Sequence, residues 1–237
     1  GLQESGFLTS ESLFGDKFPK QPYKSLAVLG AGPIGVEFAH VFDSAGTKVT
    51  ILQHNVRLVP KEDADISEHL LNNYWERGIN VLLNQDTVEI RQEDGLKVVV
   101  TKDRTTGEIT ETKVEEILVA AGIRPAVEEL HLENTGIETR PKGWIKTNEF
   151  LETSVDGIYA LGDVNGEPAF RHRANYEADI IAHNLFYATS EDDYRWARYD
   201  TLPKVTFSYP EIGSVGLTEA EAIKAGYNVG VGKNFYS

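Results

Sequence analysis

The 237-residue sequence contains no cysteine, which excludes a disulfide framework, a thiolate metal site and a cysteine nucleophile within it. Basic residues are also few: 23 Lys and Arg stand against 37 Asp and Glu, and the net charge is −14. So acidic a chain is not expected to bind nucleic acid or an anionic membrane, because basic patches drive binding to phosphate. No apolar run approaches the roughly 20 residues of a membrane span. The missing cysteines and the polar, acidic N-terminus favour a cytoplasmic location, and no metal site is expected.

A strand, a glycine-rich turn, a helix and a second strand follow one another from residue 25 onward. Residues 25–29 are apolar on both faces, as in a buried strand, and a helix over residues 36–45 leads to a strand over residues 48–52. The turn has the G-x-G-x-x-G spacing of a dinucleotide-binding motif, which places phosphates at the N-terminus of the helix. We therefore expect a dinucleotide to bind at Gly30, Ala31, Gly32, Pro33, Ile34 and Gly35.

Each glycine of this motif has its own expected role. Gly30 would make the tight turn, Gly32 would let the backbone approach the pyrophosphate, and Gly35 would let the helix pack closely on its strand. The phosphates would then meet free N–H groups and the positive end of the helix dipole.

The end of the second strand bears on the choice between NAD and NADP. An acid at this position would accept hydrogen bonds from the ribose hydroxyls and would repel a 2′-phosphate. The sequence has Gln53 there, followed by His54 and Arg57. Gln53 cannot repel a phosphate, and Arg57 could donate a charge-assisted hydrogen bond worth roughly 1.5–3 kcal/mol. These residues favour NADP slightly over NAD; the alternative is that His54 and Arg57 are solvated surface residues.

The pattern after residue 60 indicates an α/β protein. Asp94-Gly95 is typical of a β-hairpin, and residues 117–121 form a fully apolar run. The order predicts a Rossmann-like three-layer nucleotide-binding domain that carries an antiparallel β-excursion. The predicted helix covers residues 65–78, with Ile66, Leu70, Leu71 and Trp75 on one face, and the predicted strands cover residues 80–83, 87–91, 97–101, 110–114 and 117–121.

Four further segments carry a family resemblance. Together with the glycine motif, they resemble the class I FAD-dependent pyridine nucleotide–disulfide oxidoreductases, which include dihydrolipoamide dehydrogenase, glutathione reductase and mercuric reductase. The pattern around His172 is most similar to dihydrolipoamide dehydrogenase. The motifs follow the family order over nearly the whole chain, and they lie at residues 117–125, 153–163, 170–177 and 202–219.

The resemblance implies how the chain is organised. It implies that the NAD(P)-binding domain is followed by part of a second, FAD-binding domain and by the start of an α+β dimerisation domain, so that the whole enzyme would be a homodimer. The family's redox cysteines lie in an upstream FAD domain and its acid–base histidine lies near the end of the dimerisation domain, so we expect these residues to be a fragment of a longer enzyme. The expected parts are a connector (1–24), the NAD(P)-binding domain (25–148), the returning FAD segment (149–195) and the start of the dimerisation domain (196–237).

The resemblance also assigns residues to the cofactors. It implies that Asp163, in the pair Gly162-Asp163, binds the ribityl chain of FAD and that Glu37 pairs with a lysine of the missing upstream domain. Gly122 would border the nicotinamide, Thr87 would line the adenine side, and Pro33 stands where some relatives carry a tyrosine lid. The start of a helix facing the flavin is assigned to Ala169, Phe170, Arg171 and His172.

The activity implied is hydride transfer between NAD(P)H and FAD, followed by electron transfer to a disulfide substrate such as lipoamide. No catalytic residue is expected within the chain, which alone would be inactive. The alternatives are a mercuric or glutathione reductase-like enzyme, a cysteine-independent nucleotide transhydrogenase, and, from another class, a non-catalytic dinucleotide-binding module.

Overall fold

The computed structural model describes residues 1–15, 17–166 and 168–234. The chain forms two compact units: residues 1–122 together with the chain from residue 205 onward, and residues 123–204. This division follows spatial contacts, and the four-part division by family domains stays a prediction. The strands of the described residues are β1 (Ser25–Leu29), β2 (Lys48–Leu52), β3 (Asn80–Leu82), β4 (Gln85–Glu93), β5 (Leu96–Asp103), β6 (Ile109–Val114), β7 (Glu116–Val119), β8 (Lys204–Thr206) and β9 (Ile212–Ser214).

The described residues also form six α-helices, and all but one of them lie in the first unit. Five short 3₁₀ helices are interspersed, four of them between residues 128 and 165 and one at residues 191–193. The α-helices are α1 (Leu2–Ser5), α2 (Ser10–Phe14), α3 (Pro33–Ser44), α4 (Ala64–Glu76), α5 (Arg171–Phe186) and α6 (Glu219–Lys224).

A four-stranded parallel sheet organises the first unit, in the order β3-β2-β1-β7. The strands are apolar because both faces of the sheet are covered. On β1, Leu26 and Val28 pack into a core with α3 and α4, while Ala27 and Leu29 pack on the opposite side. That opposite side is covered by the antiparallel sheet β4-β5-β6. The three layers confirm the predicted fold class.

The antiparallel sheet is joined by tight connections. Asp94 and Gly95 both have positive φ, at 52° and 79°, which is the conformation of a type I′ turn. This confirms the predicted hairpin between β4 and β5. A register shift between Thr87 and Glu89 leaves one extra residue on β4, a β-bulge that increases the local twist.

The buried face of α4 differs from the sequence prediction. Ile66 and Trp75 are exposed, at 41% and 52%, so the predicted apolar face was wrong in these two positions. Leu70 is buried as predicted, and Ser67 and Tyr74 are buried beside it. The two polar residues can be buried because the Tyr74 hydroxyl donates to the Val36 carbonyl at 2.7 Å and the Ser67 hydroxyl lies near the Val59 carbonyl.

The first 24 residues, expected to act as a connector, also contribute to the sheet. Leu8 is buried and pairs in parallel with Leu118 of β7. Its N–H donates to the Ile117 carbonyl and its carbonyl accepts from the Val119 N–H, both at 2.8 Å. One residue of this segment therefore pairs at the free edge of β7.

The chain after residue 205 packs on the helices of the first unit. The Phe207 N–H donates to the Glu37 carboxylate at 2.8 Å, and the Glu219 N–H donates to Asp63 at 3.0 Å. The ring of Tyr209 stacks on His40 with centroids 5.6 Å apart. Helix α6 begins with a capping box, in which Thr218 and Glu221 satisfy each other's backbone N–H groups.

The described residues lack two kinds of feature. No helix within residues 1–15, 17–166 and 168–234 is both long and apolar enough to cross a membrane. The same residues contain no group of three or more His, Asp or Glu side chains arranged to hold a metal ion.

Candidate dinucleotide-binding site

The glycine turn lies where the carboxyl end of β1 meets the start of α3. Gly30 has a φ of +102°, and a Cβ there would lie 2.6 Å from the carbonyl oxygen of Ala120. Both the backbone angle and the space therefore require glycine at this position. Its N–H donates to the Leu52 carbonyl at 2.9 Å, which ties the turn to the end of β2.

The other two glycines differ in what surrounds them. A Cβ on Gly35 would overlap the Gly30 carbonyl oxygen, so α3 approaches the turn too closely for any side chain. A Cβ on Gly32 would meet nothing within 4 Å. The space beside Gly32 is open, which is the condition for a phosphate to approach the backbone there.

Helix α3 is built to present free N–H groups at this turn. It begins at Pro33, whose missing N–H and fixed φ suit the first helical position, and Gly32 caps it without a side-chain hydrogen bond. The N–H groups of Ile34 and Gly35 lie in the first turn, where helical geometry offers no carbonyl partner. Such a helix end attracts anions through its N–H groups and its dipole.

Gln53 holds the turn from the end of β2. Its side chain is 4% exposed; Oε1 accepts from the Ala31 N–H at 3.1 Å and Nε2 donates to the Arg57 carbonyl at 3.1 Å. A carboxylate in the same place could make the first hydrogen bond but not the second, since it has no donor. Gln53 is therefore committed to the loop, and sequence reasoning, which weighed only its charge, missed this role.

His54 and Arg57 follow Gln53 in the loop after the carboxyl end of β2. The Nδ1 atom of His54 lies 2.7 Å from the carboxylate of Asp86, and both side chains are exposed. The Arg57 guanidinium is half-buried and donates to the Pro60 carbonyl at 2.9 Å. Asp86 was not singled out from the sequence, because the sequence does not show which residue of β4 lies beside His54.

Gly122 and Thr87, which were also predicted to contact the dinucleotide, lie in the first unit, after β7 and on β4. Gly122 follows the end of β7 with a φ of +134° and open space around its Cα. Two residues earlier, the Ala120 N–H donates to the Leu29 carbonyl, so this strand end is joined to the glycine turn. Thr87 is exposed on β4, next to Asp86.

Glu37 lies on α3, one turn beyond its start, and it has a backbone partner within the first unit. One carboxylate oxygen accepts from the Phe207 N–H at 2.8 Å. The carboxylate thus binds the chain that follows residue 205. Pairing with a lysine of an upstream domain stays a prediction.

In the second unit, Gly162 and Asp163 begin a short 3₁₀ helix that ends at Asn165. Gly162 is buried with a φ of +74°, while Asp163 is exposed. Among the described residues the Asp163 carboxylate has no hydrogen-bond or ion-pair partner. It is an available acceptor on a fixed backbone.

A buried network holds this turn. The Gly162 N–H donates to Glu177 Oε2 at 2.6 Å, and Arg173 Nε donates to Glu177 Oε1 at 2.8 Å. Glu177 is 0% exposed and Arg173 is 3% exposed. The Tyr199 hydroxyl also donates to Glu177 at 2.5 Å, and burial, followed by this carboxylate, raises the pKa of Tyr199 to about 12. Sequence reasoning missed the network, although the i,i+4 spacing of Arg173 and Glu177 is visible in the sequence.

The segment expected to open a helix does so from its third residue. Helix α5 begins at Arg171, and Phe170 is its N-cap, so Ala169 precedes the helix. The ring of Phe170 stacks on His172, with centroids 5.3 Å apart. His172 Nε2 lies 2.7 Å from the Pro203 carbonyl oxygen, so this nitrogen carries the proton and donates.

A cleft of about 310 Å³ between the parallel and the antiparallel sheet does not coincide with these residues. It is lined by Ser25 and Lys48, the first residues of β1 and β2, and by Asn80, the first residue of β3. Ligands of open parallel sheets bind at the carboxyl ends of the strands. The glycine turn lies at that end, and none of its residues lines the cleft.

The fold and the turn geometry are of the Rossmann type, and comparison with known proteins gives the family of the chain. The chain belongs to the pyridine nucleotide-disulphide oxidoreductases: the family model matches residues 4–178, and the model of the family's dimerisation domain matches residues 202–237.

Individual relatives agree with this assignment. The chain is 36% identical over 230 residues to a mercuric reductase of Staphylococcus aureus, covering 97% of this chain and 40% of the relative. It is 35% identical over 211 residues to a dihydrolipoyl dehydrogenase of Thermus scotoductus, covering 89% and 44%. The structure of the HOCl-induced flavoprotein disulfide reductase RclA from Escherichia coli superposes with a TM-score of 0.81 at 31% identity, covering 94% of this chain and 48% of that one. The chain therefore spans less than half of the length of these relatives.

Proposed function

We propose that the chain is the pyridine-nucleotide-binding part of a flavoprotein oxidoreductase that takes hydride from NAD(P)H and delivers electrons to a disulfide substrate such as lipoamide. The observation that carries the proposal is the glycine turn: it excludes side chains at Gly30 and Gly35 and leaves open space beside Gly32. That combination suits a pyrophosphate lying against the backbone at the start of α3.

The second unit offers a matching set of groups for FAD. The exposed carboxylate of Asp163 can accept hydrogen bonds from the hydroxyls of the ribityl chain, and its backbone is held by the Gly162–Glu177 hydrogen bond. The first turn of α5, at Arg171 and His172, would direct N–H groups toward the flavin ring. When bound, FAD supplies an acceptor for the hydride and a donor of electrons to the second substrate. The described residues bind and orient the two cofactors.

We further propose that NADP(H) is preferred over NAD(H). The end of β2 carries Gln53 in place of an acid, so no carboxylate at that position repels a 2′-phosphate. His54 is exposed and Arg57 is half-buried at the rim of the same edge, where the ribose of a dinucleotide lies in this fold.

Titration of the chain with NADP⁺ and NAD⁺ by calorimetry tests both statements. We expect both nucleotides to bind, NADP⁺ more tightly, and Arg57→Glu to weaken NADP⁺ binding about 10- to 100-fold while leaving NAD⁺ binding within about twofold. Arg140→Glu makes the same charge change on the exposed surface of the second unit and should alter neither affinity. Binding of neither nucleotide to the unmodified chain would overturn the proposed function, whereas unchanged NADP⁺ binding by Arg57→Glu would remove only the NADP preference.

A mercuric ion substrate is the second candidate, favoured by the identity of 36% to the mercuric reductase. Relatives with either activity match nearly the whole chain, so both substrates belong to the same proposal. In the full-length protein, NADPH oxidation that depends on lipoamide would support the first candidate. Oxidation that depends on Hg²⁺ and not on lipoamide would support the second. The dimerisation-domain match supports the further proposal that the full-length protein is a homodimer.

A further inference from the structure

A third basic residue lies beside the carboxyl end of β2, where the nucleotide is proposed to bind. It belongs to an element far away in the sequence. The turn between β5 and β6 brings Arg104 to His54: the Arg104 Nη1 atom lies 3.4 Å from the His54 carbonyl oxygen. His54 is the second residue after the end of β2. A guanidinium on the antiparallel excursion thus reaches the rim where the adenosine ribose of a dinucleotide is expected.

The backbone of this turn is held in place by its own hydrogen bonds. The Asp103 carboxylate accepts from the N–H groups of Thr105 and Thr106 at 2.8 and 2.7 Å, and these hydrogen bonds lower the pKa of Asp103. The Arg104 N–H donates to the Asn84 carbonyl at 2.9 Å, and Asn84 Nδ2 donates to the Thr105 hydroxyl at 2.8 Å. Arg104 therefore projects from a preorganised turn that is fastened to the start of β4.

One carboxylate connects the exposed basic groups. Asp86 Oδ1 lies 2.7 Å from His54 Nδ1 and 3.7 Å from Arg104 Nε. The Arg104 side chain is 41% exposed, so part of its guanidinium faces solvent. Arg57 follows His54 by three residues in the same loop, and its guanidinium donates to the Pro60 carbonyl at 2.9 Å. The carboxylate of Asp103 is occupied by two backbone N–H groups and by the Gln85 amide. A planar guanidinium matches the geometry of a phosphate and can bind it through two hydrogen bonds.

We propose that Arg104 is a specificity-determining residue that binds the 2′-phosphate of NADP(H) together with Arg57, while Asp86 orients His54 and Arg104. The inference rests on the proposed function, because it assumes that a dinucleotide binds at the glycine turn. It assigns the discrimination between the two nucleotides to an element outside the strand–turn–helix–strand unit.

The test compares four ligands on the 237-residue chain by calorimetry: NADP⁺, NAD⁺, adenosine 2′,5′-bisphosphate and 5′-AMP. The two adenosine phosphates isolate the 2′-phosphate from the rest of the dinucleotide. We expect Arg104→Ala to weaken NADP⁺ and adenosine 2′,5′-bisphosphate about tenfold and to leave NAD⁺ and 5′-AMP within about twofold. Arg91→Ala is the matched control, since Arg91 lies on the same antiparallel sheet and pairs there with Glu111.

The outcomes separate the inference from the proposed function. If the unmodified chain binds none of the four ligands, the proposed function fails and takes the inference with it. If NADP⁺ is preferred and Arg57→Glu abolishes the preference while Arg104→Ala does not change it, only the inference is overturned. Equal losses for all four ligands in Arg104→Ala would also overturn it, because they would indicate a structural effect on the loop. Unfolding curves of each variant in urea show whether the fold is retained.

Discussion

At the scale of single residues, Gln53 and the close backbone packing together fix the conformation of the glycine turn. The backbone passes so close to Ala120 and to the start of α3 that Gly30 and Gly35 cannot carry side chains. Gln53 then fastens the middle of the turn by donating and accepting at once. A binding site made of backbone N–H groups needs this support, because the positions of these groups depend on the conformation of the loop.

Replacing Gly30 by alanine tests the close approach. The new Cβ would lie 2.6 Å from the Ala120 oxygen at a φ of +102°, so we expect a loss of several kcal/mol in the free energy of unfolding and at least tenfold weaker dinucleotide binding. Gly46→Ala is the control, since Gly46 has a φ of +89° but a Cβ there would meet nothing within 4 Å. That variant should lose only about 1–2 kcal/mol. Urea unfolding and NADP⁺ titration of both variants measure the difference, and equal losses would contradict the steric explanation.

The sequence predicted the positions of these residues better than their interactions. The glycine spacing and the flanking strands identified the turn, and the separate roles of Gly30 and Gly35 follow from the backbone alone. Gln53 and Arg104 could not be understood in the same way. The role of Gln53 depends on which carbonyl its amide reaches, and Arg104 approaches His54 only because a hairpin 50 residues later folds back over β2.

At the scale of elements, the hydropathy pattern predicted the bounds of two strands correctly but predicted the buried face of one helix wrongly. The strands β1 and β2 have the bounds that their apolar runs predict, since both faces are covered and every residue after the first of each strand is buried. Helix α4 misled the prediction because it buries Ser67 and Tyr74, whose hydroxyls meet backbone carbonyls, and exposes Trp75. Hydropathy alone does not reveal that a buried hydroxyl has a partner.

Helix α5 carries the strongest example of buried polar groups with partners, the ion pair Arg173–Glu177. We expect Glu177→Ala to destabilise the second unit by about 3–5 kcal/mol, because it leaves the buried guanidinium and the Gly162 N–H without their acceptor. The double variant Arg173→Met/Glu177→Met should recover only part of this loss, since it removes the unpaired guanidinium but still leaves the Gly162 N–H and the Tyr199 hydroxyl without their acceptor. Chemical unfolding followed by fluorescence gives the free energies.

A matched pair on the surface of the same unit serves as the control. Arg124 and Glu128 have the same i,i+4 spacing, but their side chains are 87% and 63% exposed and lie 3.7 Å apart. Glu128→Ala should change the free energy of unfolding very little, because solvent screens exposed ion pairs. If Glu177→Ala were as mild as Glu128→Ala, the network would not be what holds the turn of Gly162 and Asp163.

At the scale of the whole molecule, the local and the overall charge have opposite signs. The chain carries a net charge of −14, yet the loop after β2 and the turn beside it, where the nucleotide is expected, present two guanidinium groups, Arg57 and Arg104, against one carboxylate, Asp86. The overall excess of carboxylates repels itself and destabilises the compact state, while the local cations attract a phosphate. Dissolved salt weakens both effects, because the Debye length falls to about 10 Å at 0.1 M ionic strength.

Raising NaCl from about 20 mM to about 300 mM should therefore move two measurements in opposite directions. The midpoint of thermal unfolding should rise, because screening relieves the repulsion among unpaired carboxylates, whereas the exposed ion pairs that weaken are each worth little. The ratio of NADP⁺ to NAD⁺ affinity should fall, since only the 2′-phosphate depends on the exposed basic side chains. In Arg104→Ala the ratio should respond less to salt, while the unfolding midpoint should respond as in the unmodified chain. A ratio that is independent of salt in the unmodified chain would mean that the 2′-phosphate is not bound by exposed cations.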